Sequence, residues 1–157
     1  KAGLSYLGVR GVPEDDGRAC QLFEKACAGR LPVGCANLGM LLFEGTGCAP
    51  EPARAAELFR SSCEAGVGFA CGWRGYLVAT GQGGLTASAQ AGADLYKRGC
   101  ELDPRLGCFL FGGALANGVF ATPDLEHARE VLGVSCKAGH AEACAELGTV
   151  MQRQSGP

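Results

Sequence analysis

The chain has 157 residues, ten of them cysteines, with a formal net charge of −2 and no basic stripe. This length fits one domain, and the charge argues against a nucleic-acid partner. The longest apolar stretch, Cys108 to Ala121, is too short and too rich in glycine for a membrane helix. We therefore expect a globular or repeat domain that does not insert into a membrane.

Four cysteine pairs recur along the chain at one spacing. The two members of each pair stand eight positions apart, and the first members follow one another after 36, 37 and 36 residues. A fixed period in this range is typical of stacked repeat proteins. The pairs are Cys27 with Cys35, Cys63 with Cys71, Cys100 with Cys108, and Cys136 with Cys144.

The sequence of each unit predicts two helices, one on either side of the turn between its paired cysteines. The first helix has apolar residues at helical spacing, as in the stretch from Ala19 to Ala26, and ends near the first cysteine. A short turn leads to a second helix that begins Cys-x-x-x-Gly and ends at a glycine-rich break suited to a left-handed cap. About nine short helices result, with predicted N-caps at Asp15 or Asp16, Thr86 or Ser88, and Asp124.

The repeat register also marks the start of the chain and one set of glycines. Shifting the pattern back places Gly3 and Gly11 in an incomplete unit, so we expect Lys1 to begin within a repeat of a longer or processed protein. The glycine of the Cys-x-x-x-Gly motif predicts a close contact between helices. These glycines are Gly39, Gly75, Gly112 and Gly148.

Three kinds of chemistry compete for the cysteines. Zinc ligation favours C-x-x-C or nearby histidines, but no C-x-x-C occurs and His127 and His140 are far apart. Redox catalysis would also favour a C-x-x-C pair. The even count and regular spacing favour structural disulfides, one in each unit, which persist in oxidising compartments. We therefore expect an exported or periplasmic protein, with no metal and no cofactor.

The repeated unit A-x-x-L-F-x-x-x-C-x-x-G-x-x-x-x-C-x-x-L-G resembles the cysteine-rich branch of the Sel-like repeats, relatives of the tetratricopeptide repeat. Within that branch it resembles the Helicobacter cysteine-rich proteins. This resemblance implies an all-α fold, an α/α solenoid (superhelix) of helical hairpins with one disulfide per repeat. Residues 1–157 would form a single repeat domain of about four repeats plus a partial N-terminal unit. It also implies a location in the bacterial periplasm, at the cell surface or in the medium; a mitochondrial assembly factor with similar repeats leaves the intermembrane space as an alternative.

Two features depart from the repeat pattern. Cys20 and Cys48 lie outside the periodic pairs, and two interpretations are open: a fifth bridge between neighbouring units, or two buried or free thiols. Arg74 stands where the other units have an apolar residue, next to Trp73, the only tryptophan. Two interpretations are open. Trp73 and Arg74 contact a ligand, or their helix is locally rotated so that Trp73 lies in the core and Arg74 reaches solvent.

Stacked helical hairpins commonly bind partners on a concave face. By analogy with the tetratricopeptide repeat, the Cys-x-x-x-Gly helices line that face and present apolar and aromatic side chains with a few polar groups. Such a set is suited to a protein or peptide ligand, although the rings would equally serve to pack the units together. The predicted binding residues are Met40, Phe43, Glu44, Trp73, Tyr76, Thr80, Phe109, Asn117 and Thr149.

We considered two alternatives to a non-catalytic binding scaffold. The resembling family has been described as binding penicillin and slowly hydrolysing β-lactams, but neither S-x-x-K nor G-x-S-x-G occurs in this chain. A thiol–disulfide assembly factor would need a bridge that is reduced under mild conditions, and Cys20 and Cys48 are the candidates. No catalytic residue is predicted, and the sequence sets neither the partner nor the oligomeric state.

Overall fold

The computed structural model describes residues 13–156. The predicted partial unit around Gly3 and Gly11 lies outside the described residues. Within them the chain is entirely helical between its turns and loops. The helices, numbered here in chain order, are α1 (Pro13–Ala28), α2 (Pro32–Glu44), α3 (Pro52–Glu64), α4 (Gly68–Thr80), α5 (Ala89–Leu102), α6 (Leu106–Ala116), α7 (Leu125–Lys137) and α8 (Ala141–Ser155).

Consecutive helices pair into four hairpins, α1–α2, α3–α4, α5–α6 and α7–α8, which we call units one to four. A disulfide closes each hairpin across its short turn, as the sequence predicts. The four bridges join Cα atoms that are 4.1–4.7 Å apart. Each helix packs mainly against its neighbours in the chain. The all-α repeat fold is thus confirmed.

The helix ends follow the sequence signals closely. Gly45 and Gly81 adopt left-handed conformations, with φ of 70° and 72°, and cap α2 and α4 as predicted. The side chains of Ser88 and Asp124 accept hydrogen bonds at the starts of α5 and α7, which confirms these N-caps. The predicted cap at Asp15 or Asp16 is wrong because both residues lie within α1, which the structure describes from Pro13 onward.

Cys20 and Cys48 form a fifth disulfide, with their Cα atoms 5.9 Å apart. All ten cysteines lie within the described range and all are paired, so the free-thiol interpretation is wrong. The bridge ties α1 to the loop that leads from unit one into unit two. Glu24 of α1 and Arg54 of α3 form a bidentate ion pair that also joins unit one to unit two, with N–O distances of 2.8 and 2.9 Å.

The glycines of the Cys-x-x-x-Gly motif lie at the joints between units. A Cβ atom added to Gly39 would lie 2.9 Å from a ring carbon of Phe59, and one added to Gly112 would lie 2.5 Å from Leu132. Such separations are too short for a side chain, so these positions require glycine. Gly148 differs, because a Cβ there would meet nothing within 4 Å among the described residues.

No helix between residues 13 and 156 is long and apolar enough to cross a membrane.

Candidate functional site

The second helices of the four units, α2, α4, α6 and α8, share one face of the array, which we call the even-helix face. The predicted binding residues belong to these helices and their C-terminal ends, but the structure places them at different depths. Met40 is 1 % exposed and Phe109 is 6 % exposed, so both pack in the core. Met40 cannot contact a ligand on this face, and Phe109 can only form the floor of a site.

The remaining predicted residues reach the surface to different extents. Phe43, Trp73 and Tyr76 are half-buried. The others, Glu44, Thr80, Asn117 and Thr149, are exposed. The hydroxyl groups of Thr80 and Thr149 donate to carbonyl oxygens one turn earlier in their own helices, at 2.7 and 3.3 Å. Their donors are therefore already used within the helix.

Three aromatic rings form a cluster on this face that joins units one and two. Phe43 of α2 lies 6.0 Å from Trp73 and 6.3 Å from Tyr76, measured between ring centroids, and Trp73 lies 6.2 Å from Tyr76. Trp73 also stacks on the buried ring of Phe59 at 6.0 Å. The cluster therefore connects the face to the core and contributes to the contact between the two units.

Arg74 leaves this face although it follows Trp73 directly. Its guanidinium donates a hydrogen bond to the carbonyl oxygen of Ala56 in α3 at 2.8 Å. Burial lowers the pKa of Arg74, because a desolvated cation is less stable. It therefore binds to α3 instead of forming a pair with Trp73 on the even-helix face.

A small groove opens on the even-helix face between units two, three and four. Its cavity volume is about 190 Å³. Tyr76 of α4 forms one wall, α6 contributes the floor and a gap at Gly113, and Glu146 of α8 stands at the opposite side. The residues that line it are Tyr76, Tyr96, Phe109, Leu110, Gly113, Ala114, Asn117, Val119 and Glu146.

Sequence reasoning identified Tyr76, Phe109 and Asn117 of this groove and missed Leu110 and Glu146. Those two residues occupy one register position, the second after Cys108 and Cys144. This position shares a helical face with the fifth and ninth after the cysteine, because steps of three and four residues return to the same side. The prediction instead used the first position after the cysteine. In α6 that residue is Phe109, which is buried.

The histidines contribute to packing and do not form a site. His140, at the turn before α8, is 6 % exposed and stacks on Phe109 with ring centroids 4.5 Å apart. Burial lowers its pKa. His127 contacts the edge of Phe111 at 5.4 Å. In the part of the chain that the structure describes, no three His, Cys, Asp or Glu residues are grouped so as to hold a metal ion.

These features define an α/α repeat protein whose hairpins are clamped by disulfides. A sequence profile described as Sel1 repeat matches residues 2–30, 32–67 and 69–104, which is more than half of the chain. The protein therefore belongs to the Sel1 repeat family. The second and third matched segments correspond to α2 with α3 and to α4 with α5, an even-numbered helix and the odd-numbered helix that follows it.

Solved structures agree with this assignment. A Sel1 repeat protein from Oxalobacter formigenes is 28 % identical, with a TM-score of 0.65 over 94 % of this chain. The match spans 60 % of that protein's length. Cysteine-rich protein B of Helicobacter pylori is 22 % identical, with a TM-score of 0.58 over 88 % of this chain and 98 % of its own, a likeness of fold. A search of curated protein sequences gave no match.

Proposed function

We propose that this protein is a non-catalytic, exported scaffold that binds a protein or peptide segment along its even-helix face. The observation that carries this proposal is the groove between Tyr76 and Glu146, whose walls come from three different units. The assembled array is needed to form it, as is typical of binding surfaces on repeat proteins.

The size of the groove favours a segment of a larger partner over a free small molecule. Pockets that enclose drug-sized ligands commonly measure roughly 300–1,000 Å³, whereas this groove measures about 190 Å³. One side chain of a partner would fill it. The half-buried rings of Phe43, Trp73 and Tyr76 continue the surface toward unit one, so that a partner segment could extend along the face.

Five disulfides indicate an oxidising environment outside the cytoplasm. Within that environment we propose the bacterial periplasm, the cell surface or the medium as the location.

The test is to fill the groove without disturbing the fold. A Cβ at Gly113 would meet nothing within 4 Å, so Gly113→Leu can add a side chain to the groove without a clash at its first atom. Gly133→Leu is the matched control, because Gly133 is equally open but lies on α7, outside the groove. Peptides would be selected on the wild-type protein from a random display library, and their affinities measured by fluorescence anisotropy.

We expect Gly113→Leu to weaken the selected peptides by at least about tenfold, the effect of losing one buried anchor. Gly133→Leu should bind like the wild type. The proposal is overturned if the library yields no binder, or if Gly113→Leu binds the selected peptides as tightly as the wild type.

A further inference from the structure

The charges and hydrogen-bond groups of the groove indicate which side chain it accepts. Glu146 is its single charged lining residue, and within residues 13–156 it makes no ion pair. No lysine or arginine lines the groove. Its lining therefore carries one negative charge that is available to a partner.

A second polar residue of the lining, Asn117, also offers an acceptor. Asn117 donates from its Nδ2 to the carbonyl oxygen of Gly113 at 2.8 Å. That bond commits part of the amide's donor capacity to the end of α6 and leaves Oδ1 as an acceptor for a ligand. A carboxylate and an amide oxygen together are complementary to a cationic group with several N–H donors.

Apart from the hydroxyl groups of Tyr76 and Tyr96, the other side chains of the lining are apolar. Leu110, Ala114 and Val119 surround the groove, with Phe109 beneath them. Lysine and arginine combine an aliphatic stem with a cationic end, and the stem packs on apolar surface while the charge reaches a polar group. A purely apolar side chain would pack against the apolar floor of the groove but would leave the carboxylate of Glu146 without an ion-pair partner.

The charges of α2, α4 and α6 agree with this assignment, and the cation of α8, Arg153, lies in its last turn and outside the groove lining. Arg74, the single charged residue of α4, bonds to α3, and α6 has no charged residue. Glu44 of α2 directly follows Phe43 of the aromatic cluster and is exposed. Aromatic rings attract cations through their faces, so the surface on both sides of Tyr76 favours positive charge.

We propose that the groove between Tyr76 and Glu146 is a specificity pocket for a lysine or arginine side chain of the partner segment. The cation would contact the carboxylate of Glu146 and Oδ1 of Asn117, and the stem would lie on Leu110 and Val119. This inference rests on the proposed function and adds the chemistry of the partner to it.

A pair of small probes separates this inference from peptide binding in general. N-acetyl-lysine methylamide has the stem and the charge, and N-acetyl-norleucine methylamide has a stem without the charge. Each would be titrated into isotopically labelled protein while the backbone amide signals of Gly113 and Asn117 are followed by NMR. We expect saturable shifts with the lysine probe, weaker at high salt, and an affinity for the norleucine probe lower by at least about fivefold.

Glu146→Gln keeps the shape of the side chain and removes the charge. We expect it to weaken the lysine probe by about tenfold, as for the loss of a charge-assisted hydrogen bond. Glu142→Gln, on the same helix and outside the groove, should have no effect. Equal affinity for the two probes, no shift with lysine, or unchanged lysine binding by Glu146→Gln would each overturn the inference. Failure of the peptide selection with a positive lysine result would instead count against the proposed function alone.

Discussion

The joint between units two and three differs from the joint between units three and four in what fills the space between the helices. At the first joint, α4 and α5 meet backbone to backbone. A Cβ added to Gly75 would lie 2.8 Å from the carbonyl oxygen of Gly92, and one added to Gly92 would lie 2.7 Å from that of Gly75. At the second joint, between α6 and α7, the side chain of Leu132 covers Gly112.

A buried serine hydroxyl is present at the joints that side chains fill. It is missing from the joint between α4 and α5, which we call the glycine joint. Ser135 of α7 is fully buried and donates to the carbonyl oxygen of Arg105. Ser62 makes the equivalent bond to Pro32 at the joint between α2 and α3, at 3.0 Å. The same register position in α5 is Gly99, where a Cβ would lie 2.5 Å from the carbonyl oxygen of Gly68.

One repeat register therefore supports two kinds of packing. Where serine precedes the first cysteine of a unit, a hydrogen bond and an apolar side chain join the neighbouring helices. Where glycine takes this place, the helices approach until their backbones are in contact. Among the described helices, α4 and α5 make the most extensive contact, as expected where glycines let two backbones approach closely.

The largest effect should come from adding one methyl group to the glycine joint. Gly99→Ala places a Cβ against backbone atoms that cannot move without separating the helices, so we expect the free energy of unfolding to fall by about 1–3 kcal/mol. The open helical position Gly133 gives the control, where alanine should stabilise by up to about 1 kcal/mol. Urea denaturation of both variants measures the two effects, and a stabilised Gly99→Ala would contradict the close packing of this joint.

A smaller effect should come from the hydroxyls at the other joints. Ser62→Ala removes the donor to Pro32 and leaves a carbonyl oxygen without that partner, which we expect to cost about 1 kcal/mol. Ser61→Ala is the control, because Ser61 is exposed and bonds within its own helix. Equal stability of the two variants in thermal and urea denaturation would show that the hydrogen bond does not hold the units together.

The smallest effect concerns pH at the joint of units three and four. His140 donates its backbone N–H to Ser135 and stacks on Phe109, facing Glu142, Arg105 and Asp103. Because burial lowers its pKa in the folded state, the unfolded chain takes up the proton first as the pH falls. Its contribution to stability is complete above about pH 6.5 and is lost as the pH falls toward the folded pKa.

Urea denaturation at pH 7 and pH 5 tests this linkage. The wild type should lose more stability over that interval than His140→Gln, which cannot titrate there. The loss of ring stacking in the variant lowers stability at both pH values and does not change the difference between them. Parallel pH profiles for the two proteins would rule out a contribution from His140.

The hairpins could be predicted from sequence because their determinants are local. Cysteines eight residues apart, glycine caps and helical spacing all operate within one unit. The joints could not be predicted this way, because Gly39, Gly75 and Gly112 look alike in sequence and meet Phe59, Gly92 and Leu132 respectively. What covers each glycine depends on the next helix and on how closely it approaches.

The candidate site could likewise be predicted only in part, because it too depends on how neighbouring helices pack. Tyr76 and Asn117 were predicted from their register, and both line the groove. Glu146 was missed because the side of α8 that faces the groove depends on the rotation of that helix against α6. A shift of one position in the register also selected Phe109, which is buried. The periodicity thus identified helices that line the groove but left their rotation undetermined.

The placement of the disulfides has a consequence for oxidative folding. Ten cysteines allow on the order of 1,000 pairings, but each clamp joins residues only eight positions apart. A single hairpin brings the two thiols together, so low contact order favours the native pairing before the neighbouring units have folded. The bridge between Cys20 and Cys48, with a sequence separation of 28, requires α1 and α2 to pack first. Its closure therefore reports the assembly of unit one, whereas the other four report local hairpins.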